Sequence, residues 1–423
     1  MALAAACASG PLLPLMRPAS PHEEYSERLA EAGLADTALG RDWATAGQLA
    51  LEAPVEPALP FNEAVYFSPE AARAVGYRLR LARGRQLRLD VAAESEAAAR
   101  LFVDVYRIDA DGVPRRVTSL APDAATLTYD VDEDATYILR LQPELLRGGR
   151  FRVVARTLAS LPFPVPSLAS RPVQSGFGAE RDAGRRLHEG IDIFAAAGTP
   201  VVAVRPGMAR PGTNRLGGNV VWLQDGGSRR SFYYAHLERA AFQAPTPVVA
   251  GQVVGYVGNT GNARTTAPHL HFGIYSATAL DPLPFVAADE SVPAPGPSPV
   301  PSGGLARATR SALEVWTGAP RTSRRTALLP RDTIFVVAGA TADAVRVVLP
   351  DGATGYIARG HMADVVSPIR RERLAAGIVL RDAPAERAAV ARMLDQPEQA
   401  DVLGRFGAFT LVRLDDRRTG WVQ

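Results

Sequence analysis

The sequence predicts a mainly β, multidomain protein with short helices at its amino end. Three observations carry that prediction. From 55 to 160, apolar and polar residues alternate with period two, as in half-buried strands. From 161 to 290, short apolar runs are separated by glycine turns. After a proline-rich stretch at 291–304, two segments, 305–366 and 367–423, share a faint internal repeat of about 65 residues.

The 423 residues are 47% hydrophobic and 22% charged, which excludes wholesale disorder and suits several domains. The 47 basic residues are all Arg and stand against 44 acidic ones, a formal charge of +3. With no concentrated basic face, a nucleic-acid partner is not expected. No run reaches the ~18 apolar residues of a membrane span, so no transmembrane helix is expected. The single cysteine, Cys7, excludes an intramolecular disulfide and a four-thiolate zinc site. Leu3-Ala4-Ala5-Ala6-Cys7 resembles the end of a bacterial lipoprotein signal, with Leu3 one position too far upstream. Residues 1–17 are therefore read as a signal remnant or tether, with a lipid anchor to the membrane through Cys7 and a start codon further upstream. The alternative is a chance Ala-rich start.

Within 18–54, Ser20-Pro21-His22-Glu23 is a capping box with Pro at the first helical position, predicting a helix through Leu29 that stops near Gly33. A second short helix is expected over Asp42–Leu51, and His22 is expected on the solvated surface. In 55–160, Tyr77, Leu79 and Leu81, then Leu87, Leu89 and Val91, then Leu101, Val103 and Val105, then Tyr137, Leu139 and Leu141 each alternate with polar neighbours. Turn-like stretches such as Ala82-Arg83-Gly84 separate them, and the sum is a β-sandwich. The linker 291–304 carries proline at alternate positions and is expected to be an extended, semi-rigid spacer. In the repeat, Leu313-Glu314-Val315 matches Gly377-Ile378-Val379, and Gly355-Tyr356-Ile357 matches Gly420-Trp421-Val422. These endings resemble bacterial SH3-like domains, which implies two small barrels at 305–366 and 367–423 that bind the cell wall. The arginine clusters at 321–325 and 370–373 are expected in solvated loops.

Four of the six histidines fall in 161–290. His269 and His271 flank Leu270, so on a strand both imidazoles face one side while Leu270 and Phe272 pack on the other. His188 and Asp192 are four apart; on one continuous strand they share a face, with Gly190 permitting a bulge between them. Three short strands can thus gather His188, Asp192, His236, His269 and His271 into one pocket. Two imidazoles and a carboxylate with an open position form a catalytic zinc pattern. Two spare imidazoles suit proton transfer near neutral pH. A non-haem iron site uses the same ligand types, but with one residue between its first His and carboxylate rather than three. The glycines of Gly255–Gly261 do not make a phosphate loop, since no helical pattern follows them.

His188-Glu189-Gly190-Ile191-Asp192, Gly198-Thr199-Pro200, Tyr234-Ala235-His236-Leu237, Gly258-Asn259-Thr260-Gly261 and Pro268-His269-Leu270-His271-Phe272 occur in that order, preceded by Ser175-Gly176-Phe177-Gly178. This set resembles the lysostaphin/LytM-type zinc endopeptidases over about a quarter of the chain. The resemblance implies a compact β-rich metallopeptidase domain at 161–290 that cuts peptide bonds in peptidoglycan. It makes His188, Asp192 and His271 the Zn2+ ligands, His269 the general base and His236 a stabiliser of the tetrahedral intermediate. It also implies an extracytoplasmic location, in the periplasm or envelope or secreted. Ala267 and Gly273 depart from the family pattern, where Gly and Glu are common. Two other readings stay open: a non-catalytic wall-binding regulator with an idle metal site, and a zinc peptidase of soluble proteins. The retained His236 and His269 weigh against the first, and the repeats against the second.

Overall fold

The computed structural model describes residues 17–94, 100–168, 173, 175–181, 184–227, 230–288, 291–296 and 304–423. Cys7 and its proposed anchor lie outside the described residues, as do residues 297–303 of the linker. The architecture is mainly β, with several sheets and few helices. No helix among the described residues is long and apolar enough to cross a membrane.

The first helix is Pro21–Glu31. Its capping box closes as expected: Glu23 N donates to Ser20 Oγ (3.2 Å) and Ser20 N to Glu23 Oε2 (2.7 Å). The second helix is Ala38–Glu52, four residues longer at its start than the expected Asp42, because Thr37 Oγ1 accepts from Gly40 N at 3.1 Å and caps it there. His22 is not solvated. It is buried, stacked on Trp43 with ring centroids 4.7 Å apart, and 2.8 Å from Gln142 Oε1. The helices lie on one sheet of the sandwich, and His22 faces that sheet in company with Tyr25, Trp43 and Phe102. The apolar body of the imidazole fills that contact while its polar edge is satisfied.

The alternating segment forms two four-stranded antiparallel layers. One runs Val75–Leu81, Ala135–Pro143, Leu101–Ile108, Pro114–Ser119; the other Phe61–Phe67, Gly149–Ala159, Arg85–Ala93, Thr126–Asp130. The inward residues Tyr77, Leu79, Leu87, Leu89, Val103, Val105, Leu139 and Leu141 form one core.

The second layer continues beyond the sandwich. Phe61–Phe67 pairs with Ile334–Ala340, in register Ala64 with Ala340, so one eleven-stranded sheet runs from the sandwich into the segment after the linker. Glu63 is fully buried at this seam, 2.7 Å from Arg346 Nε and 2.9 Å from the Tyr356 hydroxyl. The described part of the linker also lies against this seam, with Asn62 Nδ2 donating to Pro293 O at 3.2 Å. Residues 291–296 have no regular structure and are mostly exposed, with Pro293 tied to the body of the protein by this bond.

The repeat is visible as topology. Numbering strands from Leu305–Ala308 through Thr354–Ala358, their spatial order is third, second, sixth, fifth, fourth, first. The six strands from Arg370–Leu374 to Thr419–Val422 take the same order. Arg325–Leu329 and Arg370–Leu374 are strands, so the arginine clusters are not confined to loops: edge strands project the guanidinium groups outward. The second copy packs on the first through Ile334, Leu403, Phe409, Leu411 and Trp421.

Residues 191–280 build a nine-stranded sheet whose main path is Ile191–Phe194, His269–Tyr275, Ser231–Ala240, Gly218–Asp225, Gly207–Asn214, Thr246–Val248. Its core contains Ile191, Ile193, Val221, Phe232, Tyr234, Leu270 and Phe272. It is fastened to the sandwich by Arg85, which donates to Ala287 O at 2.9 Å, and by Phe285, which fills the space beside Gly84.

Candidate active site

The site is assembled on one face of three neighbouring strands. His269–Tyr275 lies between Ile191–Phe194 and Ser231–Ala240. Strand alternation works as the spacing predicts: Leu270 and Phe272 point into the core, and His269 and His271 point the other way. The register sets Asp192 opposite His271, and Ala235 opposite His271 on the other side.

His188 is positioned differently from the expectation. It is not on one strand with Asp192; the chain makes a short hairpin, Glu180–Arg181 with Arg186–Leu187, and His188 directly follows it, outside both strands. Gly178 N donates to His188 O (2.8 Å) and His188 N to Ala179 O (2.8 Å), which pins the backbone there. Gly190 matters for space rather than for a bulge. A Cβ there would lie 2.5 Å from Phe272 O and 2.7 Å from His271 Cε1.

Three donor atoms converge. His188 Nε2 is 3.0 Å from Asp192 Oδ1 and 2.9 Å from His271 Nδ1, which is 3.1 Å from the same carboxylate oxygen. His188 Nδ1 lies 2.8 Å from Gly176 O, which only accepts, so Nδ1 carries the proton and Nε2 offers a lone pair inward. Lone pairs gathered this closely repel unless a cation lies among them. Tetrahedral zinc with bonds of about 2.0–2.1 Å wants ligand atoms ~3.3 Å apart, close to the spacing present. The residues fit a divalent ion of that kind. Burial opposes the Asp192 charge, but when protons rather than an ion lie on the facing nitrogens, hydrogen bonds and charge from His188 and His271 outweigh it and hold its pKa well below the usual carboxylate range. Burial lowers the His271 pKa and so favours the neutral ring that a metal ligand must be.

His236 and His269 complete the set, with ring centroids 4.9 Å apart; the His236 ring lies 6.0 Å from that of His271. His269 Nδ1 is 2.9 Å from Ala267 O and His236 Nδ1 is 2.9 Å from Thr260 O, so each Nδ1 donates to a carbonyl and each Nε2 is left as an acceptor. His236 is reached by a feature the alternation did not contain. Its φ is +60°, its N–H donates to Gly217 O at 2.7 Å, and the register of its strand shifts on both sides. This bulge turns the imidazole out of the face that buries Tyr234. Burial lowers the His236 pKa to about 4, against the opposing hydrogen bond to Thr260.

All five residues line one cleft of about 720 Å³. The cleft also contains groups that the sequence reading missed. Arg181 Nη2 lies 2.9 Å from Asp192 Oδ2 and 2.5 Å from Ser175 Oγ, leaving Oδ1 to face the imidazoles. Its only sequence signal is its place between the Gly176-Phe177-Gly178 motif and His188. Trp222, Tyr233 and Tyr275 form a wall beside His271. Tyr275 shares the even spacing of His269 and His271, so that signal was present; Trp222 is placed by strand register, which the sequence does not display.

A β domain that aims two imidazoles and a carboxylate at one point, with two acceptor imidazoles across the cleft, has the donor set of a metal site with proton-transfer groups beside it. Residues 186–282 match Peptidase family M23, so this segment of the chain is a Peptidase M23 domain. The chain is 39% identical over 106 residues to the glycyl-glycine endopeptidase ALE-1 of Staphylococcus capitis, covering 23% of this chain and 29% of that protein. It is 36% identical over 142 residues to an L-Ala–D-Glu endopeptidase of Bacillus subtilis, covering 30% and 43% respectively. The solved catalytic domain of lysostaphin from Staphylococcus simulans is 33% identical, with 29% of this chain and 96% of that one covered and a TM-score of 0.26. The chain thus spans less than half the length of these two curated relatives.

Proposed function

We propose that this protein is a zinc endopeptidase that hydrolyses peptide bonds in bacterial peptidoglycan outside the cytoplasm. The observation that carries the reading is the meeting of His188 Nε2, Asp192 Oδ1 and His271 Nδ1, within 4.8 Å of one another, beside two imidazoles whose Nε2 atoms are free to accept a proton. Relatives named for glycyl-glycine and L-Ala–D-Glu bonds support the substrate class, since D-residues belong to peptidoglycan stems, and they leave the bond open.

In this mechanism His188, Asp192 and His271 hold the ion, and Arg181 fixes the unused carboxylate oxygen. A bound zinc supplies Lewis acidity toward a substrate carbonyl and makes water acidic enough to attack near neutral pH. His269, its tautomer fixed by Ala267 O, accepts the proton of the attacking water at Nε2 and returns it to the leaving amine. His236 sits on the same side of the cleft; charge growing on the substrate oxygen would draw a proton to its Nε2 against the burial that lowers its pKa to about 4, and that N–H would then donate to the oxygen. The strands around the cleft keep both rings at fixed positions, so little reorganisation accompanies the reaction. We further assign the divisions 18–54, 55–160, 161–290, 305–366 and 367–423 as domains, and the two topological repeats as SH3-like modules that hold the enzyme on the wall. An anchor at Cys7 would place it at a membrane surface.

The test is direct. Purified chain should hold about one zinc, and digestion of defined cross-linked muropeptides should give products whose masses identify the bond. Zinc-loaded protein that releases nothing from any of them would end this reading.

A further inference from the structure

We propose that Trp222, Tyr233 and Tyr275, with the Glu189 carboxylate at one end, form a subsite for a protonated amine of the substrate, the side-chain ammonium of a diamino acid in the peptide stem. This rests on the endopeptidase reading above and names the chemistry of its substrate.

The three rings form a corner. Trp222 pairs with Tyr233 across neighbouring strands, and Tyr275 comes from the next strand, opposite Ser231. Ring centroids are 4.4 Å apart for Trp222 and Tyr233, 5.3 Å for Trp222 and Tyr275, and 6.4 Å for Tyr233 and Tyr275, the last pair nearly perpendicular at 79°. Gly273 makes the corner possible: a Cβ there would meet Tyr275 Cε2 at 2.8 Å. The missing side chain lets the Tyr275 ring fold back along its strand, where its hydroxyl donates to Glu189 O at 3.4 Å.

Aromatic faces are negative and attract ammonium groups, most strongly on Trp. Trp222 is 38% exposed and faces the cleft. The protein's own cations do not cover these rings: among the described residues, guanidinium groups stack on Tyr25, Tyr77, Tyr106, Tyr256 and Phe285 instead. Glu189 adjoins the Tyr275 hydroxyl, which donates to its backbone oxygen. Glu189 forms no ion pair among the described residues, and it lines the cleft. A carboxylate at the end of an aromatic corner selects a compact cation over a neutral ring. The corner adjoins His271, so an amine held there fixes which peptide bond reaches the donor atoms.

The experiment compares two cross-linked peptide dimers, identical except that the one unlinked diamino-acid side chain is free or acetylated. In zinc-loaded wild type, acetylation should raise KM about tenfold with kcat little changed. Glu189→Gln and Trp222→Ala should each cut that ratio to about threefold or less, and Trp222→Phe should restore most of it. Binding of both peptides is read in parallel by titration calorimetry on the zinc-loaded His269→Ala chain, where the same preference is expected. Equal KM and equal binding for the two peptides would overturn the subsite. So would a Trp222→Ala chain that weakens both peptides alike, since the wall would then hold an uncharged ring. Absence of cleavage with the binding preference intact would count against the endopeptidase reading and leave the subsite standing.

Discussion

Gly190 sits two residues from each of two groups that meet at the site, and its lack of a side chain is what lets the His271 ring lie against the chain. Gly190→Ala should therefore weaken zinc binding by roughly 10–100-fold, the usual scale for disturbing a ligand's support, as read by competition with a chelating dye. His188→Ala and Asp192→Ala should lose zinc outright, whereas His269→Ala should keep it and lose most hydrolysis; elemental analysis beside a turnover assay separates the two roles. His22 gives a prediction of another kind. Burial, reinforced by Arg140, lowers its pKa to about 4 from an ordinary 6.5, although Gln142, Asp104 and Glu23 pull the other way. Above pH 6.5 the ring is neutral folded or unfolded. As pH falls from 6.5 towards 4, the unfolded chain takes up a proton that the folded one refuses, so stability declines across that window. His22→Phe should flatten this part of the stability profile, measured by urea midpoints at successive pH values. The sequence showed a helix cap at this histidine but not its burial, because the covering sheet comes from residues 102 and 142.

Elements were legible where local chemistry sets them. The capping box at Ser20 starts its helix as written, and Ser20→Ala should cost about 1 kcal/mol in thermal or urea unfolding. Period-two runs became strands, and His-Leu-His faces the cleft as alternation requires. Elements were illegible where a partner overrides alternation. His188 left the strand because a hairpin of its own precedes it, and His236 turns through a positive φ because its N–H bonds to Gly217 O and its ring Nδ1 to Thr260 O rather than following the ladder. Both changes use backbone partners outside the strand itself, Gly178 and Ala179 for His188 and Gly217 for His236. Across strands, the Glu63–Arg346 pair is fully enclosed. Glu63→Ala leaves Arg346 buried without its counter-charge and should destabilise by about 3–5 kcal/mol, seen as a lowered urea midpoint.

For the whole molecule, the sandwich and the first repeat share a sheet and a core: Ala344 and Tyr356 pack with Phe61 and Tyr77. The two are not beads on a spacer. Deleting 305–423 should expose the Phe61–Phe67 edge and strand Glu63, so the product should aggregate. Deleting 367–423 should leave a soluble chain that still cleaves small muropeptides, with weaker sedimentation on cell walls. Soluble expression and wall sedimentation of the two truncations check this, and a well-behaved 1–304 fragment would contradict the shared sheet.

Residue order alone determined the β class and the repeat, and it singled out the five side chains that the fold gathers in one cleft, because periodicity, turn residues and motif spacing are local and survive without coordinates. Tertiary structure decided which oxygen of Asp192 faces the imidazoles, which nitrogen of each ring is free, where the aromatic wall stands, and that a strand near residue 64 pairs with one near 340. Those outcomes depend on strand register and on contacts between segments up to hundreds of residues apart. No local pattern encodes them, since any strand edge can hydrogen-bond to any other until packing and buried charge select one partner.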